Sequence, residues 1–290
     1  MRILITVIIL IFIGYSCSKN EKLASEHFTK AKKYFENNEI VKASLEIDSA
    51  IFLDTLNYEY TLLKAKIYSK SNQYEDAIEL LTSPLTSNFK PDTVNYLIGA
   101  SYYNLGCFYS NQNNNERNEI DSYMKSIEYF NSTIKLNPEY FLAYIYKSHA
   151  FHNIENYEEA LISLNNALTI FPDSMNLVCY RGVEKFALGD LKGALIDLNK
   201  SIESGKMDSL DMSSAYRYKG LVLADLNKLN EAINSMTKAL TYYDTNEFLF
   251  ANRADLYRRV GQKDKACADY RKAAELGMVS IYEVIKEYCN

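Results

Sequence analysis

An all-α fold of repeated helix pairs is the architecture this sequence predicts, on three observations. Small side chains recur at a fixed step of 34 residues, apolar residues return at helical spacing, and 290 residues contain only 4 prolines and 10 glycines. Those breakers are too few for the many turns of an all-β chain. A composition of 48% hydrophobic and 24% charged residues describes a folded chain rather than a disordered one. The formal charge of −5, without any Lys/Arg-rich stripe, argues against a nucleic-acid reader, which neutralises phosphates with a basic surface.

The first residues form a separate object. Arg2, an apolar run from Ile3 to Ile13 and the ending Gly14-Tyr15-Ser16-Cys17 have the layout of an export signal. The run is too short to span a bilayer comfortably, which takes about 20 residues. The ending resembles a bacterial lipobox, although Gly14 stands where Leu is usual and Tyr15 is bulky. That resemblance implies a signal peptide over 1–16, cleavage before Cys17, lipid on Cys17 and a tether over 17–23. The expected location is the bacterial cell envelope, at the outer membrane or facing the periplasm. Loss of Arg2 leaves the mature side chains at −6.

The repeat justifies the remaining elements in turn. Ala31 and Ala65, Ala43 and Ala77, and Tyr34, Tyr68 and Tyr102 keep the 34-residue step. So do Ser126, Ala160 and Ala194; Phe130, Leu164 and Leu198; Pro138 and Pro172; and Ala232 and Ala266. In the clearest copy, 141–174, Tyr157-Glu158-Glu159-Ala160-Leu161 opens a second helix and Phe171-Pro172-Asp173 closes it. Pro cannot continue a helix and biases the residue before it toward an extended shape. Ala160, Leu161, Leu164, Ala167 and Leu168 supply an apolar face that one pair cannot bury alone, so the copies should stack into one array.

This pattern resembles the tetratricopeptide (TPR) family, whose unit is a pair of antiparallel helices with small residues where they cross. The small position of the first helix is held by Ala31, Ala65, Gly99, Ser148, Gly182, Gly220 and Ala254. The family's Trp is absent; Thr61, Tyr144, Tyr216 and Phe250 stand there in four copies. The resemblance implies a right-handed superhelical α-solenoid of about seven pairs. Their expected limits are 24–57, 58–91, 92–140, 141–174, 175–212, 213–246 and 247–277. The third copy carries a 15-residue insertion around the polar run Asn111–Asn118, read as a mobile loop between lengthened helices. Four extra residues near Gly205-Lys206-Met207-Asp208 read as a longer turn. Gly277 stops the last unit, and a helix over 279–289 bearing Val279, Tyr282, Val284 and Ile285 is expected to cap the array.

Catalytic chemistry finds little support. His149 and His152 lie i,i+3 on one helix, but zinc usually takes three or four ligands and no Cys or acid pattern completes a set. Neither a phosphate-binding Gly-rich loop nor a Ser elbow nor a His-activated nucleophile is visible. We therefore expect no catalytic residue, no metal and no cofactor. In an exported chain Cys267 and Cys289 are the candidates for pairing, while Cys107 and Cys179 read as small buried groups.

The resemblance places partner binding on the concave side, along the first helices. Carried over by repeat position, it names Tyr96, Tyr103, Ile145, His149, His152, Phe186, Arg217 and Arg258, with Phe28, Lys32, Leu62, Lys66 and Asp255 beside them. The Lys/Asn clamp that some members use for carboxylate-ended chaperone tails is not reproduced, since Phe28 and Leu63 stand at clamp positions. The leading expectation is a non-enzymatic, lipid-anchored scaffold holding a protein or peptide partner, with no nucleic acid. The alternative is a lipoprotein capturing glycans or peptides for an uptake system, which the absence of Trp disfavours.

Overall fold

The computed structural model describes residues 20–83, 86, 89–112 and 116–289. The expected signal peptide, Cys17 and residues 113–115 of the insertion lie outside the described residues. Everything regular among the described residues is helical, and the chain divides into two compact units, one up to Ile154 and one from Glu155. The division runs through the expected copy 141–174, between its two helices.

In the first unit, α1 covers residues 20–36, so residues 20–23 are helix rather than tether. Glu21, Lys22 and Leu23 are good helix formers that continue the periodic pattern backward from Ala24. After α1 come α2 (Ile40–Leu53), α3 (Tyr58–Lys70), α4 (Tyr74–Leu81), α5 (Pro91–Ser110), α6 (Glu116–Leu136) and α7 (Phe141–Asn153). Ala24, Ala31, Ala43 and Ala50 are fully buried between α1 and α2, with Ile47, Leu63 and Ile67 around them. Leu63 is thus core, and its neighbour Leu62 is only half-buried. The insertion is absorbed by growth: α5 has 20 residues and α6 has 21, against 13 and 14 in α7 and α2. Where these long helices cross, a Cβ on Gly99 would stand 2.9 Å from Phe130 Cε1.

The second unit holds α8 (Tyr157–Ile170), α9 (Met175–Ala187), α10 (Leu191–Ser204), α11 (Ser209–Asp225), α12 (Leu229–Tyr242), α13 (Glu247–Arg259) and α14 (Lys263–Glu275). The four extra residues do not lengthen a turn. They add a first turn to the 17-residue α11, capped by the Asp208 carboxylate accepting from Asp211 N at 2.9 Å. Met207 and Met212 are buried against Cys179 and Leu198, so the addition is fixed by core packing. The C-terminal piece is a 3-10 turn (Val279–Ile281) followed by α15 (Tyr282–Tyr288). Ile281, Val284, Ile285 and Tyr288 cover Ala254, Ala266 and Tyr270, whereas Val279 and Tyr282 are exposed. A Cys267–Cys289 disulfide, Cα–Cα 5.5 Å, ties α15 to α14.

The turns inside the pairs share one device. Asn38, Asn72, Glu155, Gly189, Asn227 and Gly261 all have positive φ, between 58° and 80°, at the same place in the repeat. In most of them the next amide reaches back to the last turn of the first helix, as Gln73 N→Tyr68 O, 2.9 Å, and Lys228 N→Leu223 O, 2.8 Å. This is a Schellman closure, and it favours Gly or Asn because their cost in the left-handed region is small.

Candidate functional site

The first helices of the first three copies open a cleft of ≈ 310 Å³ in the first unit. Lys66, Ser69 and Lys70 of α3 share one helix face by their i,i+3,i+4 spacing, and Tyr96, Ala100 and Asn104 of α5 do so at steps of four. Phe35 of α1 and Leu97 complete the lining. Lys66 and Lys70 are exposed and have no acidic partner among the described residues, so the cleft presents two ammonium groups and no carboxylate in its lining. Ser69 Oγ and Ser101 Oγ, 3.0 Å apart, hold α3 to α5 beneath it.

Two of the expected partner-binding aromatics are committed largely to packing. Tyr96 lies 4.7 Å from Tyr140, 6.0 Å from Phe130 and 6.2 Å from Tyr146, while presenting an edge to the cleft. Tyr103 packs at 5.6 Å on Tyr123 and 5.3 Å on Tyr146, and its hydroxyl accepts from Asn153 Nδ2 at 3.5 Å. These rings join α5, α6 and α7. Burial pushes both hydroxyls well above the ordinary tyrosine range. The Tyr123 hydroxyl donates to Cys107 Sγ at 3.4 Å, and Cys107 is half-buried rather than fully enclosed. Cys179 is buried, which pushes its thiol up to about 12.

Ile145 is a correction. It is 8% exposed, because the α7 residues beside the small Ser148 turn into the core, and it offers no surface to a partner. His149 is half-buried, its ring 6.3 Å from that of Tyr146. Burial first, and the nearby His152 second, push its pKa down to about 4, so it is neutral at pH 7. His152 is also half-buried. No group of three His, Cys, Asp or Glu among the described residues is placed to hold a metal ion.

In the second unit Phe186 lines a smaller cleft of ≈ 200 Å³ with Asn252, Asp255 and Arg259. Arg258 is exposed and sits 3.4 Å from Asp255, outside that lining. Its neighbour Arg259 lines the cleft and donates to the Ala224 carbonyl at 3.2 Å. Arg217 places its guanidinium 5.1 Å from the Tyr218 ring, and its Nε is buried without a hydrogen-bond partner.

A recurrent ion pair went unnoticed in the sequence. Arg181 grips Asp197 with two bonds of 2.7 Å, and Arg253 grips Asp269 with bonds of 2.7 and 2.9 Å. In each case the remaining nitrogen reaches the second helix of the preceding pair, at Asn165 (3.4 Å) or Thr237 (3.2 Å). Asp197 is 2% exposed; burial alone raises its pKa, but Arg181 and Lys185 outweigh it and hold the carboxyl below its usual value. Opposite charges 16 residues apart were the available signal.

Comparison with known proteins agrees with this geometry. The tetratricopeptide repeat family model matches residues 249–276, within α13 and α14. A solved tetratricopeptide repeat protein from Parabacteroides merdae superposes with a TM-score of 0.70 at 18% identity, covering 93% of this chain and 100% of that one. The fold is therefore that of tetratricopeptide proteins. A TPR repeat-containing protein of Methanocaldococcus jannaschii is 26% identical over 145 residues, 49% of this chain. A DnaJ homolog subfamily C member 7 homolog of Dictyostelium discoideum is 21% identical over 232 residues, 80% of this chain. The chain spans 24% and 36% of the lengths of those two relatives.

Proposed function

We propose that this chain is a non-enzymatic protein-interaction scaffold of the bacterial cell envelope, anchored by lipid on Cys17, whose first unit holds a partner segment. The cleft over Phe35, Lys66, Lys70, Tyr96 and Asn104 carries this reading. Two unpaired ammonium groups above an aromatic and aliphatic floor suit a segment with carboxylates and an apolar side chain. Tetratricopeptide folds generally serve as such scaffolds, and the helix-pair packing described above supports that class.

Two measurements test it. Binding of a peptide library should favour acidic members and fall at least tenfold, about 1.4 kcal/mol, in the double variant Lys66→Glu/Lys70→Glu. Equal binding by both proteins, with folding intact, refutes the assignment to this cleft. Metabolic labelling with an alkynyl fatty acid should mark the wild type and not Cys17→Ser; equal labelling refutes the anchor. If a glycan array instead shows saturable binding that the lysine variant leaves unchanged, capture for an uptake system becomes the better reading.

A further inference from the structure

We propose that the outer face of α2 lies against the membrane surface to which the chain is anchored; this rests on the reading that Cys17 carries lipid. A helix at the edge of a soluble protein should be apolar toward its core and polar outside. In α2 the buried residues are Ala43, Ile47 and Ala50. At 100° per residue, Val41, Leu45 and Phe52 fall on the opposite side, within about 40° of one another. They are 77%, 66% and 85% exposed, and Leu56, just past the helix end, is 78% exposed. The helix thus has a second apolar stripe, facing water.

The register of α1 and α2 brings one end of this stripe level with residue 20, the first described residue. His27 Nδ1 lies 2.6 Å from Glu46 Oε2, which fixes the antiparallel register of α1 and α2. In that register residue 20 is level with about residue 53, next to Phe52 and Leu56. Cys17 is three residues from residue 20, a reach of at most about 11 Å. The two most exposed apolar side chains therefore stand at the end of the pair that the lipid would hold at the bilayer. Asp48, on the flank of the stripe, is already neutralised by Lys64 at 2.5 Å.

Size also favours a tethered surface over a second copy of the chain. Four side chains present a few hundred Å², whereas a stable protein interface buries about 800 Å² per partner. A surface already held near by a tether needs no such area, because its effective concentration is high. Side chains of this kind seat in the headgroup–acyl boundary without spanning it.

The chain contains no tryptophan, so Phe52→Trp creates a unique reporter at a position that is exposed and should tolerate the change. The full chain, processed in cells, is reconstituted into phosphatidylethanolamine–phosphatidylglycerol vesicles with and without brominated acyl chains. Mass analysis of the N-terminal peptide reads acylation independently. The expected result is an acylated chain whose emission shifts to the blue and is quenched about twofold or more by brominated lipid, as for a side chain at the acyl boundary. An acylated chain with water-like, unquenched emission overturns the proposal while leaving the anchor intact. An unacylated N-terminus removes the anchor and the proposal together. A blue shift that grows with protein concentration without bromine quenching assigns the stripe to a second copy and overturns the proposal.

Discussion

Replacing Gly182 with Ala tests the repeat register through two opposed effects. In an unhindered helix the change is favourable by about 0.8–1.0 kcal/mol, because Gly has the poorer helix propensity. Here the added Cβ would sit 3.0 Å from Leu198 Cγ, 3.3 Å from the Ala194 carbonyl oxygen and 3.3 Å from Asp197 Cβ. Leu198 and Ala194 are fully buried and Asp197 is held by Arg181, so relief requires α10 to move away from α9. Overpacking of this sort costs about 1–3 kcal/mol, which leaves a net destabilisation of about 1 kcal/mol. Gly220 provides the internal control. Its new Cβ would first meet Met236 Cε at 2.9 Å, the free end of a flexible side chain. It would also meet Met236 Cγ at 3.2 Å and the Ala232 carbonyl oxygen at 3.3 Å, so Gly220→Ala should cost something too, but less than Gly182→Ala because the methionine methyl can turn aside. Urea titration by circular dichroism, with hydrogen exchange resolving α9 and α10, measures both. A Gly182→Ala protein more stable than wild type by the propensity difference would show that α9 and α10 do not meet where the repeat places them.

Other expectations concern titration, the turns and the disulfide. His149 has a folded pKa of about 4 against 6.5 unperturbed, so the unfolded chain takes up the proton first as pH falls. Stability should be full above pH 6.5 and decline toward pH 4 by at most about 3 kcal/mol, a decline that His149→Gln should flatten and whose persistence would implicate other groups. Glu155 holds φ 58° where all five equivalent turns have Asn or Gly, so Glu155→Asn should stabilise by about 0.5–1 kcal/mol in thermal melts. A lower melting temperature would mean that the Glu155 side chain contributes more than its backbone costs. Cys289→Ser should lose about 2–3 kcal/mol of protection over 279–288, as expected for opening a 22-residue loop; unchanged exchange there would show that apolar packing alone holds α15.

The repeat was legible because it rests on local, periodic signals. Alanines 34 apart, Pro at unit ends and glycines at crossings each have a direct backbone cause, and α1 to α14 follow from them. What escaped was set by contacts between helices. Lys66 lines the cleft as its repeat position implies, but Ile145 does not, because which side chain faces a groove depends on rotations of about one residue that periodicity does not resolve; the same shift separates Arg258 from the cleft-lining Arg259. The extra residues near Met207 looked like a turn because Gly205 stops a helix, yet their outcome was decided by burial of Met207 and Met212. The left-handed turn at Asn38, Asn72, Gly189, Asn227 and Gly261 was present in the sequence at the repeat step and is visible once the turn geometry is known.

The cation early in the first helix has a consequence for how such a chain changes its length. Lys64 reaches back to Asp48, Arg181 to Asn165 and Arg253 to Thr237, always from one pair to the second helix of the pair before it. At these three joints a donor at the front of one segment thus meets an acceptor at the rear of the segment before it, whereas the third copy has Ile98 at the donor position. Copying or deleting a whole segment that carries both groups restores a matched joint at the new seam, whereas a gain or loss that is not absorbed within one helix pair, as the insertion in α5 and α6 is, leaves both ends mismatched. Growth by complete segments is accordingly the mutational route that the chemistry of this joint permits, and partial duplications should be rare survivors.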